Sequence, residues 1–210
     1  MCDECMSIKE TLANLVYKRA PGPLPAFNVL DLIRFLRILA KSRCMGRGKI
    51  ARKLDLGEGT IRTIIKRLSE ENLIMRSRSG CSLTHKGEKF WSKIKEVLPK
   101  IVEVKSNELT LAQYSVAVLV RGRAEKVKNG LEQRDAAVIS GAKSAVTIVF
   151  KNNRLVIPGV SLDLKKDYPI AFREIMHSIK PEENDVIIIS SANTLKYAEY
   201  GALAAALSII

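Results

Sequence analysis

The sequence predicts an α+β protein built from two domains, and two patterns along the chain point to this class. Before residue 98, apolar residues recur at helical spacing, and one short pair of strand-like segments interrupts them. After residue 107, strand-like and helix-like segments alternate, as in a sandwich of sheet and helices. We therefore expect an N-terminal helix with a Pro-rich linker in residues 1–25, one domain in 26–105 and another in 106–210.

The charge of the chain is concentrated in its first half. The 210 residues carry a net charge of +13; residues 1–105 hold 22 basic and 11 acidic side chains, and residues 106–210 hold 13 and 11. A basic domain beside a nearly neutral one predicts a polyanionic partner, with double-stranded DNA as the first candidate. The apolar runs are shorter than the roughly 20 residues that span a bilayer, and no secretion signal is evident. We expect a cytoplasmic protein that does not enter a membrane.

The four cysteines predict reduced thiols. Cys2 and Cys5 have the spacing of one zinc-ligand pair, but no second pair completes four ligands. Cys44 and Cys81 fall in a predicted loop and a predicted hairpin, without metal-ligand spacing. No metal or other cofactor is therefore expected.

The first domain should be preceded by a short capped helix. Ser7 and Glu10 have the spacing of a capping box, in which each side chain accepts a hydrogen bond from the backbone amide of the other residue. Four apolar residues then recur at helical spacing: Ile8, Leu12, Leu15 and Val16. Either the first domain or a second subunit must cover this stripe.

Three further helices are predicted before residue 73. The first begins near Asn28 and has an apolar face and a basic face, the latter formed by Arg34, Arg37 and Lys41. A short helix follows in residues 47–54, and the tight connection Asp55-Leu56-Gly57 joins it to a helix in residues 58–72. Helices joined by so short a turn must cross steeply.

The helix predicted for residues 58–72 has two different faces. At about 100° per residue, its apolar residues fall on one side, and they are Ile61, Ile64, Ile65 and Leu68. The opposite side carries polar and basic residues, namely Thr60, Arg62, Thr63, Lys66 and Arg67. One side is therefore core, and the other is expected to be free.

A hairpin and a last helix complete the first domain. The segments 74–79 and 81–84 read as short strands around Gly80, and Arg76 and Arg78 should share one face because side chains alternate along a strand. Thr84 is expected to cap a helix that runs from His85 to about Leu98, before Pro99.

This order of elements resembles a winged helix-turn-helix domain covering about residues 26–100. The run KIARKLDLGEGTIRTIIKRLSEENLIMRSRSGCSLTHKGEKF carries the resemblance, with LTHKG closing the wing. Four more segments are similar to an archaeal family that joins a winged-helix domain to a C-terminal domain of unknown function: PGPLPAF, NGLEQRDAAV, VTIVFKNNRLVIPGV and YGALAAAL. The resemblance implies a transcriptional regulator but supplies no ligand.

The resemblance to winged-helix regulators also implies which residues meet DNA. The helix of residues 58–72 would lie in the major groove and read bases with Thr60, Arg62, Thr63, Lys66 and Arg67. The wing residues Arg76 and Arg78 would meet phosphates or a narrow minor groove, and the loop and short helix would hold phosphates through Arg43, Arg47 and Lys49. The alternative is a winged-helix module that binds protein or RNA without reading DNA sequence.

The second domain is expected to be an α+β sandwich with the element order βαββαβ plus a terminal helix. This order fits a ferredoxin-like fold, although other α+β topologies share it. Ser190, Ser191 and Asn193 follow an apolar strand and open a helix, where they hold an anionic effector; the alternative is that Asn193 or Thr194 only caps the helix. Arg134 and Asp135 either line an effector pocket or form a salt-bridged surface turn.

The sequence lacks the usual signatures of catalysis. Its only histidines are His85 and His177, and a lone histidine makes a poor catalytic triad. No phosphate-binding loop or dinucleotide-binding fingerprint is present. We therefore expect no enzyme activity, and a second domain that dimerises or senses a small-molecule effector. Because DNA sites with twofold symmetry favour dimers, we expect a homodimer through the first helix, the helix of residues 85–98 or the terminal helix.

Overall fold

A computed structural model describes residues 7–17 and 25–210 of the chain. The protein is of mixed α/β class, with N-terminal helices and a C-terminal antiparallel sheet with helices. It divides into two compact units between Ile94 and Lys95, whereas the sequence suggested a boundary after residue 105. The Cys2 and Cys5 pair and most of the Pro-rich linker lie outside the described residues.

The first unit contains mainly helices and one hairpin. Its described elements are α1 (Ile8–Tyr17), α2 (Val29–Lys41), α3 (Arg47–Leu54), α4 (Glu58–Glu70), β1 (Ile74–Ser77), β2 (Gly80–Leu83) and α5 (His85–Val97), the last of which continues into the second unit. These bounds lie within about two residues of the predicted ones.

The capping box before α1 is confirmed. The Ser7 amide donates to Glu10 Oε2 at 2.9 Å, and the Glu10 amide donates to Ser7 Oγ at 3.1 Å. The stripe of α1 is covered within the chain, because Leu12, Leu15 and Val16 are buried and α1 packs on α2. No second subunit is needed to cover this helix.

The expected basic face of α2 is wrong at Arg34. This side chain is buried, and its Nη1 donates to the backbone oxygen of Leu54 at 3.0 Å. It also lies 3.9 Å from the buried carboxylate of Asp31, one turn earlier on α2. Arg34 therefore satisfies a carbonyl at the end of α3, where a helix leaves its last oxygens without internal partners.

The turn between α3 and α4 has the tight geometry that its sequence predicts. Asp55 adopts a left-handed conformation with φ of 53°, and the Leu56 amide donates to the Ala51 oxygen at 3.1 Å. The inward side chains of the two helices then meet, since Ile50, Leu54 and Ile61 are fully buried.

The hairpin is joined to the loop before α3. Backbone hydrogen bonds of 2.9 Å run in both directions between Met45 and Cys81, which adds a third short strand-like segment to β1 and β2. Gly80 has φ of +135°, and a Cβ there would lie 2.5 Å from the Met45 backbone, so only glycine fits. The alternation predicted for Arg76 and Arg78 is wrong, because β1 ends at Ser77 and Arg78 lies in the turn.

The second unit is built on a five-stranded sheet. Its strands are β3 (Lys100–Val104), β4 (Tyr114–Val120), β5 (Ser144–Lys151), β6 (Arg154–Val156) and β7 (Val186–Ala192), in the spatial order β3-β4-β7-β5-β6 with all neighbours antiparallel. Its helices are α6 (Leu131–Ile139), α7 (Leu164–Asp167), α8 (Pro169–Ser178) and α9 (Leu195–Leu207).

The strand order differs from the ferredoxin-like one. Both arrangements share the order βαββαβ, which β4, α6, β5, β6, α8 and β7 follow here. In a ferredoxin-like sheet, the first and third of these four strands lie at the centre. Here the four strands lie in the order β4-β7-β5-β6, so the fourth strand, β7, and the second, β5, are the inner two. Strand order depends on how each connection crosses the sheet, and residue patterns within elements do not encode it.

Helices cover both faces of this sheet. On one face, Ile187 and Ile189 of β7 join a core cluster with Ala171 and Ile175 of α8. The alternate residue Ser190 faces the other side, where it abuts Gly201 of α9, and α9 also contacts α6. In the described part of the chain, no helix is long and apolar enough to cross a membrane.

Candidate nucleic-acid interface

The outward face of α4 is the most prominent polar surface of the predicted site. Ile61, Ile64 and Leu68 are fully buried, so the helix is fixed to the core along one side. On the other side Arg62, Thr63 and Lys66 are exposed, and Thr60 in the first turn is half-buried. Three of the five predicted base-reading residues are therefore exposed on this face, and the Thr63 hydroxyl donates to the Gly59 oxygen at 3.1 Å.

Arg67 is the member of the predicted set that the structure places elsewhere. Its Nη1 donates to the Leu15 oxygen at 3.0 Å and to the oxygen of Val16, at the C-terminal end of α1. Its guanidinium also stacks over the Phe27 ring, 5.4 Å from the centroid. Arg67 therefore holds α1 against α4 and is already engaged.

The start of α4 is open and rich in glycine. Gly57 is the N-cap residue and provides no side-chain cap, so the first amides of the helix have no side-chain partner from that position. Arg47 of α3 forms an ion pair with Glu58 at 3.3 Å, with both side chains about half exposed. A shallow groove lies here, lined by Gly48, Ala51, Arg52, Asp55, Leu56, Gly57 and Glu58.

The hairpin carries two exposed arginines on an ordered turn. Arg76 and Arg78 are both exposed. Arg76 lies on β1 and Arg78 in the turn, which is held by Ser77, whose Oγ donates to the Gly80 oxygen at 3.1 Å and lies 2.8 Å from Ser79 Oγ. A defined turn of this kind can present a guanidinium at a fixed place.

The cysteines beside the hairpin remain free thiols. Cys44 is exposed and its Sγ lies 3.6 Å from Ser79 Oγ, whereas Cys81 is buried. Burial raises the pKa of the Cys81 thiol above its ordinary value, and the neighbouring Cys44 adds to this effect. Cys81 therefore behaves as a packing residue of the hairpin.

The loop before α3 and the first turn of α3 add two exposed cations. Arg43 in the loop and Lys49 on α3 are both exposed, and Met45 between them ties the loop to the hairpin. Seven of the ten predicted DNA contacts are thus exposed cations of the first unit: Arg43, Arg47, Lys49, Arg62, Lys66, Arg76 and Arg78. Among them, Arg47 is paired with Glu58.

The residues suggested for an effector are not brought together. Arg134 and Asp135 form an exposed ion pair of 3.0 Å on α6. Ser190 and Ser191 are buried on opposite faces of β7, and Ser191 Oγ is engaged with Ser115 Oγ at 2.8 Å. Asn193 is exposed, and Thr194 caps α9 by accepting from the Tyr197 amide. At the start of α9 the structure therefore has a helix cap, and on α6 it has a surface ion pair.

Comparisons with known proteins agree with this division. The fold and the charged face define a protein with a basic helical unit and a second unit built on an antiparallel sheet. Residues 29–89 match the family model "PH0730-like, N-terminal domain", and residues 111–209 match a domain of unknown function, DUF4443.

A solved structure is similar over both units. It is a hypothetical protein, PH0730, from Pyrococcus horikoshii OT3, with 28% sequence identity and a TM-score of 0.71. The match covers 87% of this chain and 92% of that chain. None of the curated proteins matches this chain. A resemblance to an archaeal protein, with a C-terminal domain of unknown function, is thus supported. The name of the similar protein states no activity.

Proposed function

We propose that the first domain is a winged helix-turn-helix domain and that the protein is a sequence-specific DNA-binding transcriptional regulator. The main support for this proposal is the exposed polar face of α4, which lies opposite a buried apolar face. The Met45–Cys81 bridge adds support, because it joins the hairpin to the segment between α2 and α3 as a wing requires.

In this proposal, the first two turns of α4 enter the major groove. Arg62 can donate two hydrogen bonds to guanine O6 and N7, and Thr63 offers a hydroxyl and a methyl group. Lys66, one turn further, is placed to meet a phosphate or a base edge. Thr60 plays a smaller part because it is half-buried, and Arg67 plays none because it is engaged with α1.

The remaining cations hold the DNA backbone. Arg76 and Arg78 on the hairpin contact phosphates or a minor groove, and Arg43 in the loop tied to the hairpin and Lys49 on α3 contact further phosphates. Arg47 contributes less, since its charge is partly balanced by Glu58. The set favours DNA over double-stranded RNA, whose deep, narrow major groove does not admit a helix.

The test is the affinity of the full chain for a duplex selected from a random library. Arg62→Ala should weaken binding to the selected site by about 1–3 kcal/mol and relax the preference at one base pair. Arg173→Ala, which removes an exposed cation of the second unit, should change neither quantity. Titration against a matched RNA duplex and a random DNA duplex, at fixed salt, measures specificity.

Two results would reject this proposal. One is unchanged affinity and unchanged site preference for Arg62→Ala. The other is equal affinity for the RNA duplex and the selected DNA, which would favour an RNA-binding module instead.

The same proposal includes a second domain that has no catalytic function.

A further inference from the structure

The helices that the sequence suggested for dimerisation bury much of their apolar stripes within the chain. Leu12, Leu15 and Val16 of α1 are buried, as are Ile94 of α5 and the following Leu98, while Phe90 and Val97 are half-buried. Most of α9 is buried too, from Ala198 to Leu203. A more exposed apolar surface is therefore the better candidate for an intermolecular contact.

The outward face of α6 is such a surface. Leu131 is 46% exposed, Val138 is 47% exposed and Ile139 is 86% exposed. At about 100° per residue, these three side chains and Asp135 lie within about 100° of each other, opposite the buried Gln133 and Ala137. Clustered exposed apolar side chains mark an interaction site, whereas single ones do not.

The apolar face continues beyond the end of α6. A Cβ at Gly141 would lie 2.5 Å from the Tyr197 ring, so the first turn of α9 borders the end of α6. Tyr197 is 45% exposed and packs edge-on against Tyr200, with ring centroids 6.1 Å apart. We call the surface of Leu131, Val138, Ile139 and Tyr197 the α6 face.

Two ion pairs lie on and beside α6. Lys128 pairs with Glu132 at 3.6 Å, and Arg134 pairs with Asp135 at 3.0 Å. These four groups cancel one another, and Lys143 and Lys196 add two cations near Gly141 and Tyr197, at one end of the face. A twofold contact requires a surface that complements itself, and the opposite charges on the two flanks of α6 provide this.

We propose that the α6 face binds the α6 face of a second copy of this chain. Arg134 lies on one flank of the helix and Glu132 on the other, at about 60° and about 100° from Leu131 in opposite directions. A twofold axis running roughly along α6 brings the Arg134 flank of one copy to the Glu132 flank of the other. The apolar residues then meet at the centre together with Asp135, which is paired with Arg134, and the remaining polar groups lie at the rim.

The pairing is weak on its own. A standard interface buries about 800 Å² per partner, and one nine-residue helix with a neighbouring tyrosine provides less. We expect a dissociation constant on the order of 1–100 µM, so that DNA with two half-sites completes the assembly. This last step rests on the proposed function; the pairing itself does not.

The first experiment measures mass by sedimentation equilibrium without DNA. The wild-type chain should approach twice its 23.3 kDa mass as its concentration rises through the micromolar range. Ile139→Asp should raise the dissociation constant at least about tenfold. Leu162→Asp, at an 80% exposed residue outside the α6 face, is the matched control and should leave the mass unchanged.

The second experiment reverses the flanking charges. Arg134→Glu and Glu132→Arg should each weaken association, and the double variant should restore it because opposite charges again face each other. The proposal is overturned if the wild-type chain remains monomeric at about 200 µM, a concentration on the order of the largest dissociation constant expected. It is also overturned by a dimer that Ile139→Asp leaves intact while circular dichroism shows a folded chain.

The outcomes separate this inference from the proposed function. If the chain dimerises but binds no selected duplex, the DNA-binding proposal fails alone. If it binds a single half-site as a monomer and never self-associates, only the α6 pairing fails. Ile139→Asp should keep half-site affinity and lose the gain from a second half-site.

Discussion

At the scale of single residues, the arginines of the first unit serve two purposes that the sequence pattern does not distinguish. Arg62 and Arg67 both lie on the polar side of α4 by helical spacing, yet one is exposed and the other binds the end of α1. Arg34 likewise appears outward by pattern but satisfies the Leu54 oxygen. Helical spacing gives a side chain's direction, and only the tertiary position of α1 and α3 shows what lies there.

Replacement of Arg67 tests its structural role. Arg67→Met should lower the free energy of unfolding by about 1–3 kcal/mol, because two carbonyls at the end of α1 lose a charged donor. Amide hydrogen exchange in residues 8–17 should accelerate. Lys66→Met, one position earlier and exposed, should change neither quantity. Equal effects of the two substitutions would show that Arg67 does not anchor α1.

Two glycines provide a matched pair at the same scale. A Cβ at Gly87 would lie 2.0 Å from the Leu73 oxygen, whereas at Gly59 nothing lies within 4 Å. Gly87→Ala should therefore destabilise by about 1–3 kcal/mol through overpacking, and Gly59→Ala should stabilise by up to about 1 kcal/mol through helix propensity. Urea denaturation measures both. A stable Gly87→Ala variant would contradict the close contact of α5 with the backbone at Leu73.

At the scale of elements, local signals predicted what local signals determine. Between Gly46 and Asp55, a short apolar stripe bounded by turn residues predicted a helix in residues 47–54, and α3 spans these residues. Thr84 caps α5 as expected, since the Gly87 amide donates to its Oγ at 3.1 Å. Strand β3 was missed because its exposed Glu103 and flanking lysines resemble a linker, and it becomes a strand only by pairing with β4.

The apolar face of α6 was also missed, and here a signal existed. The polar run Glu132 to Asp135 suggested a charged pocket or surface turn. The apolar residues Leu131, Val138 and Ile139 nevertheless fall on one side at helical spacing. The residues suggested for an effector are separated for a different reason, because adjacent residues of a strand such as Ser190 and Ser191 point to opposite faces.

Helix α8 carries a prediction about pH. The amides of Ile170 and Ala171, in its first turn, donate to the Glu108 carboxylate at 2.9 Å and 2.8 Å. Desolvation acts to raise the pKa of Glu108, but these hydrogen bonds and the nearby Arg173 hold that pKa below its ordinary value of 4.5. The charged form of Glu108 therefore stabilises the folded state.

The sign of the effect follows from linkage. Because the pKa of Glu108 is lower in the folded chain, its contribution is complete above about pH 4.5 and is lost as the pH falls through the folded-state pKa. Glu108→Gln should lower stability at pH 7 and reduce the loss of stability below pH 4.5. Glu103→Gln, an exposed residue nearby in sequence, is the control. Identical profiles of stability against pH for the wild type and Glu108→Gln would show that the Glu108 carboxylate does not stabilise the start of α8.

At the scale of the whole molecule, charge asymmetry was readable from the sequence, whereas sheet topology was not. The excess of cations before residue 106 anticipated the exposed cations around α4 and the hairpin. Alternating segments predicted an α+β unit, yet the last strand, β7, became the central one, between β4 and β5. The same patterns would suit several strand orders.

Salt dependence tests how many of these cations meet DNA. If six phosphates are neutralised, the logarithm of the binding constant should fall with the logarithm of salt concentration at a slope of roughly −5. Replacing both Arg76 and Arg78 by alanine should reduce the slope by about 2. Fluorescence anisotropy on the selected duplex at several salt concentrations provides the measurement. An unchanged slope would remove the hairpin from the interface.

Photo-crosslinking from α4 tests the central claim most directly. A photoreactive amino acid replaces Thr63 on the exposed face of α4 in one variant, and exposed Arg173 of the second unit in another. The account predicts that the first variant crosslinks to bases at one position of the selected duplex and that the second does not. Crosslinking from position 173 alone, or from neither position under conditions of full binding, would contradict the account.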